Sequence, residues 1–323
     1  MLRRRLNSAK SLIQPNTPVE RCASCENMFI CRTHGVYNTV QYKDAPRYVR
    51  NPYIHGHYRP PELTVSLCLK SIFTWNNETL NIWSHMIGFA YFTACQCYDN
   101  ALKLPSIGAK WDDHVIFTLT LGTFQACMLA STLYHMFMCV SEDVFRRFLA
   151  LDLLGISAAI LGVYLSGIYY AFYCDKLWHD IYLSLFCVLC ISTVAITLQP
   201  AQSAKSRRYT SGRVGVHHCV YVAIVLYGLI PTVHWIALNG GVNSYMVKRF
   251  VPNVVVAYGI MGVAFAVYAS SFPERWKPGC FDLIGCSHQW WHLLVFAALW
   301  WWRSAGHDLL AFRLHHQCRT QFL

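Results

Sequence analysis

Apolar runs of about twenty residues recur along this 323-residue chain and constrain its fold more than any other feature. A helix of about 20 apolar residues crosses the roughly 30 Å hydrocarbon core of a bilayer. The sequence predicts seven such spans, at 80–98, 115–138, 148–172, 181–198, 216–238, 254–272 and 286–302. Short polar connections separate the spans, so we expect an all-α bundle of seven transmembrane helices.

The composition agrees with a chain that lies mostly in lipid. Charged residues make up 13% of the sequence and hydrophobic residues 55%, whereas soluble domains carry about 25% charged residues. The net charge of +11 is assigned to loops that face anionic headgroups and cytosol. Membrane lipids are therefore the expected surroundings, and nucleic-acid binding is not expected.

The chain divides into three predicted parts. Residues 1–70 are polar and basic and predict a mostly irregular cytosolic tail, 71–303 hold the bundle, and 304–323 form a short lumenal tail. The loop 199–213 carries four basic residues and no acid. Basic loops remain in the cytosol, so we expect a cytosolic N-terminus and a lumenal or extracellular C-terminus.

A disulfide framework is not expected from the fifteen cysteines, because a thiol inside an apolar run behaves as a small hydrophobe. The cysteines in such runs are Cys95, Cys97, Cys127, Cys187, Cys190 and Cys219. A second group in the N-terminal tail has metal-ligating residue types without the spacing of a common zinc finger. A second metal site and free thiols are both open for this group, which comprises Cys22, Cys25, Cys31 and His34.

Polar side chains at the ends of three spans are the candidate functional residues, because such groups are costly in a membrane. His135 closes the second span, with Ser131 one helical turn before it, and Asp152 opens the third. His288 and His292 open the seventh span four residues apart, on one helix face. In the predicted topology these groups share one depth near the cytosolic side.

Three imidazoles and a carboxylate at one depth predict a Zn²⁺ site at His135, His288 and His292. If the site is hydrolytic, zinc activates water near neutral pH, Asp152 orients that water or accepts its proton, and Ser131 hydrogen-bonds nearby. A structural zinc that ties three helices together is the alternative. His85 and His234 are interpreted as ordinary hydrogen-bonding histidines of the bundle.

Several segments resemble motifs of the progestin and adipoQ receptor family, in the same order, from about Asn51 to Trp302. They are SIFTWNNETLNIWSHMIGF, STLYH, ALDLLGIS, GIYYAFYC and SHQWWH. The resemblance implies a seven-span bundle with a cytosolic N-terminus, zinc held by the three histidines, and Asp152 and Ser131 beside a metal-bound water. This chain has Leu153 after Asp152, where many relatives have tyrosine.

The resemblance also implies a function. The segments NPYIHGHYRP, IPTVHWIALNGG and SFPERWKPG resemble a Golgi-resident member that traps Raf kinases. We therefore expect a Golgi membrane scaffold whose N-terminal tail tethers a Raf-type kinase and damps MAP-kinase signalling. The alternatives are a zinc-dependent lipid amide hydrolase of ceramidase type and a plasma-membrane receptor for an adiponectin-like or progestin-like hormone. A hydrolase needs a lipid-sized cavity that reaches the metal, whereas a scaffold does not.

Overall fold

The computed structural model describes residues 37–197, 216–315 and Cys318. Within these ranges the chain is helical, apart from turns, loops and one isolated antiparallel bridge between Val40 and Tyr58. The basic loop 199–213 and the cysteine and histidine group at 22–34 lie outside the described residues.

Seven long helical segments occupy the positions of the predicted spans in the described chain, and the fifth consists of two consecutive helices. A turn of 3-10 helix at Ser71–Phe73 follows α1, while a π-helical turn at Asp99–Lys103 and a short helix at Leu104–Ser106 extend α2. The helices are α1 (Val65–Lys70), α2 (Thr79–Tyr98), α3 (Trp111–Phe137), α4 (Glu142–Ala171), α5 (Lys176–Thr197), α6 (Val216–Tyr227), α7 (Leu229–Leu238), α8 (Tyr245–Ser270) and α9 (Ser287–His315).

Among the residues that the structure describes, five segments are long and apolar enough to cross a membrane, so a membrane helical bundle is confirmed. They are Trp111–Phe137, Glu142–Ala171, Lys176–Ala195, Cys219–Leu238 and Tyr245–Ser270. The helices α2 and α9, with 20 and 29 residues, are also long enough to span a membrane. They carry polar side chains, such as Asn81, His85, His288 and Arg303. Membrane crossing by α2 and α9 therefore stays a prediction.

Two apolar clusters hold the long helices together. One joins α2, α3, α4 and α9 through Phe92, Phe124, Ala159 and Leu299. The other joins α4 through α9 and includes Phe186. Serine caps begin two of the helices: the Ser141 hydroxyl accepts from Val144 N–H at 3.2 Å, and Ser244 does the same at the start of α8.

The fifth predicted span is interrupted at Gly228, three residues before Pro231, whose missing N–H cannot complete a regular helix. The Tyr164 hydroxyl donates to the Ile224 carbonyl oxygen at 2.9 Å, and the Tyr258 hydroxyl donates to the Val225 carbonyl oxygen at 2.8 Å. Both tyrosines come so close that a methyl group on Gly228 would lie 2.1 Å and 2.5 Å from their oxygens.

Replacing Gly228 by alanine is expected to lower the free energy of unfolding by about 2–3 kcal/mol, because the new methyl group displaces both tyrosines from the carbonyls that they satisfy. Thermal unfolding of the detergent-solubilised protein measures this change. Gly259→Ala on α8 is the matched control, since its methyl group meets no atom within 4 Å. Equal loss of stability in both variants would contradict the packing argument.

Helix α9 continues to His315, past the predicted end of the last span and the predicted start of the tail at residue 304. Its second half is anchored by buried ion pairs: Arg303 Nε donates to Asp99 Oδ2 at 2.8 Å, and Arg313 Nη2 donates to Asp113 Oδ1 at 3.0 Å. Leu310 is fully buried in the same half. Residues 304–315 are therefore helical and packed against the bundle, and their position relative to the membrane stays a prediction.

A disulfide joins Cys174, in the turn after α4, to Cys318, beyond α9. The sequence argument against disulfides applied to cysteines inside apolar runs, and neither of these two lies in one. Free thiols are observed at all six of the cysteines to which that argument referred, namely Cys95, Cys97, Cys127, Cys187, Cys190 and Cys219.

Residues 37–64, here called the cap segment, pack across the end of the bundle where α3 ends and α4 and α9 begin. Its buried side chains include Val49, Ile54 and Tyr58, which lie in one cluster with Tyr134 and Phe145 of the bundle. The described part of the predicted tail is thus mostly irregular but firmly packed.

Arg59 and Asp282 attach the cap segment at two further points. The guanidinium of Arg59 is almost fully buried and donates to the carbonyl oxygens of His135 and Met136 at the end of α3. On the loop before α9, the Asp282 carboxylate accepts the backbone N–H of His55 at 3.0 Å and of Gly56 at 2.8 Å. Burial raises the pKa of the Asp282 carboxyl to about 6.

Candidate metal centre

The three predicted histidines come together at the capped end of the bundle. One ligand atom from each of His135, His288 and His292 lies within 4.8 Å of the others. The closest pair is Nε2 of His135 and Nε2 of His288, 3.1 Å apart. The end of α3 and the start of α9 thus meet at one depth, as the sequence predicts.

Glu78 orients the first of these imidazoles. Its Oε2 lies 2.8 Å from Nδ1 of His135, and an ionised carboxylate can only accept a hydrogen bond. The Nδ1 atom therefore carries the proton, and the Nε2 atom presents its lone pair toward His288. Two amides hold the carboxylate in place, since Asn81 Nδ2 donates to it at 2.7 Å and Asn77 Nδ2 at 3.0 Å.

Asn81 and Ser84 on α2 orient the imidazole of His292 in a similar way. Its Nδ1 lies 3.2 Å from the Asn81 carbonyl oxygen and 3.2 Å from the Ser84 hydroxyl. Because a carbonyl oxygen only accepts, the proton of the neutral ring belongs on Nδ1, and Nε2 is left with its lone pair.

This donor set fits a bound metal ion. Imidazoles that ligate a metal through Nε2 usually donate their other N–H to a carboxylate or a backbone carbonyl, as His135 and His292 do here. Ligand nitrogens around a tetrahedral ion lie about 3.3 Å apart, close to the 3.1 Å between His135 and His288. The cluster is therefore a candidate metal site that fits a divalent ion.

Asp152 and Ser131 lie beside this cluster. Both line the cavity that contains the three histidines. Ser131 lies one turn before His135 on α3, and Asp152 lies on α4. A carboxylate in the wall of this cavity can take up a proton from a molecule bound next to the histidines.

Sequence reasoning missed two residues of the centre, Glu78 and His85. The Glu78 side chain makes no capping hydrogen bond at the start of α2 and contacts His135 instead. His85 was interpreted as an ordinary bundle histidine, but its ring stacks on His292 at 3.8 Å. Glu78, Asn81 and His85 share one helix face, and this spacing is the signal that could have revealed them. The interpretation of His234 agrees with its contact to the Tyr182 hydroxyl at 2.8 Å.

A cavity of about 540 Å³ extends from the histidines into the bundle. Ile54 of the cap segment borders it at one end, and Tyr170 and Leu309 border it toward the other. Most of its lining is apolar, and the carboxylates and imidazoles among the lining residues lie at the capped end of the bundle. A long apolar chamber with one polar end suits a molecule that has a lipid chain and a polar head.

The fold and the site together define a class: a helical membrane protein with a three-histidine candidate metal site at the capped end of its bundle. Residues 73–302 match the family described as haemolysin-III related. The chain belongs to this family, in the branch of the progestin and adipoQ receptors.

Similar proteins occur in animals and plants. Progestin and adipoQ receptor family member 3 of Mus musculus is 40% identical over 269 residues, which cover 83% of this chain and 84% of the mouse protein. The adiponectin receptor protein of Drosophila melanogaster is 31% identical over 81% of this chain and 57% of its own length. Heptahelical transmembrane protein 1 of Arabidopsis thaliana is 30% identical over 79% of this chain and 76% of its own length.

Proposed function

We propose that this protein is a zinc-dependent hydrolase that cleaves the amide bond of a membrane lipid of the ceramide class. The observation that carries the proposal is the apolar cavity, which reaches His135, His288 and His292 and also contains Asp152. A site of purely structural zinc needs no chamber of this kind, whereas a lipid hydrolase does.

The chain supplies the groups that such a reaction requires. His135, His288 and His292 would hold zinc, which when bound supplies the Lewis acidity that activates water and polarises a carbonyl oxygen. The Asp152 carboxylate, which lines the same cavity as Ser131, would accept the proton of the attacking water and pass it to the departing amine. The apolar lining would hold the acyl chain, and the products would be a fatty acid and a free amine.

Turnover of a ceramide by the purified full-length chain tests the proposal. We expect release of fatty acid, loss of that release after chelation, and recovery on addition of Zn²⁺. Absence of turnover in a preparation that holds one zinc per chain would assign the metal a structural role instead.

The contact between Glu78 and His135 makes a separate prediction about zinc affinity. Glu78→Gln keeps the shape of the side chain but removes the charge that fixes the proton on Nδ1 of His135, and we expect zinc affinity to fall about 10–100-fold. Competition with a chromogenic chelator measures the affinity. Glu142→Gln is the control, because Glu142 pairs only with Arg146 at the surface. Equal affinities in the two variants would dismiss the orienting role of Glu78.

We also propose a scaffold function, in which this chain sits in the Golgi membrane with its N-terminus in the cytosol and tethers a Raf-type kinase. The family resemblance of three segments and the 40% identity to family member 3 support this proposal. The cap segment adds exposed basic side chains, Lys43 and Arg47, which suit an acidic partner. Tethering kinase to one membrane would damp MAP-kinase signalling by keeping the kinase from its usual site.

A deletion designed from the structure tests the tether. Removing residues 1–36 leaves the cap segment and its Arg59 contacts intact, whereas a longer deletion would strip the packed core around Tyr58. We expect the kinase to return to the cytosol while this protein stays in the Golgi with its zinc. If the kinase stays at the membrane after the deletion but is released in the double variant Lys43→Glu/Arg47→Glu, the cap segment is the kinase-binding surface. Kinase retained in both variants would contradict the tether.

A further inference from the structure

Two free thiols meet beneath the cap segment, outside the candidate metal centre. Sγ of Cys68 on α1 and Sγ of Cys139, in the turn between α3 and α4, lie 3.6 Å apart. They are 71 residues apart in sequence, so the contact is created by the fold. Both side chains are buried, in a small cluster with Leu63.

Hydrogen bonds to the backbone of Cys68 and Cys139 hold the two cysteines in place next to each other. The backbone N–H of Glu62 donates to the Cys139 carbonyl oxygen at 3.1 Å, and the Ser71 hydroxyl donates to the Cys68 carbonyl oxygen at 2.6 Å. Each thiol thus lies next to a hydrogen bond that fixes its own backbone. The pair lies one layer below solvent, since Glu62, Val65 and Glu142 nearby are exposed.

A buried cation makes this pair different from inert core cysteines. Arg59 Nη1 donates to the Ser71 hydroxyl at 3.2 Å, and the Arg59 charge favours the thiolate form of both Cys68 and Cys139. The hydrogen bond from the Cys68 thiol lowers the pKa of the Cys139 thiol, burial opposes this, and Arg59 lowers the pKa further. The thiolate is the form that reacts with oxidants, and a nearby cation favours the thiolate over the thiol.

We propose that Cys68 and Cys139 form a redox-active pair that hydrogen peroxide converts into a disulfide. The Cys139 sulfur attacks one peroxide oxygen, the O–O bond breaks, and the products are a sulfenic acid and water. The Cys68 sulfur then attacks the Cys139 sulfur, forming the S–S bond, and the hydroxyl leaves with the Cys68 proton as a second water. Two thiols are oxidised by two electrons, and one peroxide is reduced to two waters.

The disulfide would lock α1 and the cap segment onto the end of α3. Cys139 lies four residues after His135, and Arg59 links the same region to the carbonyls of His135 and Met136. Because an S–S bond is about 2.05 Å long, the sulfurs must approach by about 1.5 Å, a shift that the short helix α1 can supply. A dithiol reductant would release the lock by exchange.

Peptide mapping of the full-length protein in detergent tests the proposal. The protein is treated with hydrogen peroxide, alkylated, digested without reductant and analysed by mass spectrometry. We expect a peptide pair joined through Cys68 and Cys139, lighter than the two reduced peptides by two hydrogen atoms and separated by dithiothreitol. Exposed Cys97 serves as the internal reference and should be recovered alkylated at peroxide doses that join the pair.

The variant Cys68→Ser removes the resolving thiol. We expect it to accumulate sulfenic acid at Cys139, trapped by dimedone severalfold above the wild-type protein. Recovery of both thiols alkylated at a dose that already oxidises Cys97 would overturn the proposal. The wild-type map decides this even if the variant is unstable.

Discussion

Replacing His292 by alanine is expected to release the metal and to lower thermal stability in the same step. The imidazole is almost fully buried, stacks on His85 and shares the ligand cluster with His135 and His288. Where a site forms only in the folded chain, the binding free energy of the metal contributes to folding. We expect zinc content to fall from about one per chain to near zero, with a loss of about 3 kcal/mol or more in unfolding free energy.

Alanine variants of two half-buried histidines distinguish the stability lost with the metal from the stability lost when a cavity forms. His288→Ala removes a second proposed ligand, whereas His234→Ala removes a histidine of similar exposure that contacts Tyr182. Metal analysis and thermal unfolding with and without added zinc compare the variants. Zinc should stabilise His234→Ala and the wild-type protein but not His288→Ala or His292→Ala. An unchanged zinc content in His292→Ala would dismiss the assignment.

Replacing Asp152 by asparagine is expected to abolish lipid hydrolysis while leaving the metal in place. Asparagine has nearly the same shape, but its neutral amide cannot take the proton of the attacking water. A missing general base lowers kcat by about 10²–10⁴-fold. Ceramide turnover and zinc content, measured on the same preparation, report the two properties separately.

A matched carboxylate on the same helix controls for charge. Asp143 lies exposed in the first turn of α4, so Asp143→Asn should leave both turnover and zinc content unchanged. Turnover of Asp152→Asn within about twofold of wild type would remove Asp152 from the reaction. Loss of zinc from Asp152→Asn would instead give Asp152 a role in holding the metal.

The positions of the long helices could be predicted from the sequence because burial in lipid demands long apolar runs. Every predicted span coincides with a helix or, at 216–238, with a pair of helices. The ends were less predictable: α9 continues past residue 303 because Arg303 and Arg313 find buried carboxylates on distant segments. Hydropathy cannot anticipate such partners.

The convergence of the three histidines could also be predicted, since span order and direction place the end of α3 and the start of α9 at one depth. The role of Glu78 could not, because a carboxylate before a helix resembles an ordinary cap until its partner on α3 is known. The cap segment was missed for a similar reason. Its polar, irregular sequence shows no periodicity, and its order depends on contacts such as Arg59 with His135 and Asp282 with His55.

The sequence by itself determined that this protein is a helical membrane bundle and which histidines converge, because both follow from local apolar runs and their order along the chain. Only the tertiary structure decided how the imidazoles are oriented, how far the cavity extends and which thiols touch. These features depend on side chains from helices far apart in sequence, such as Cys68 and Cys139. Their distances are set by packing, and no local pattern encodes packing between distant helices.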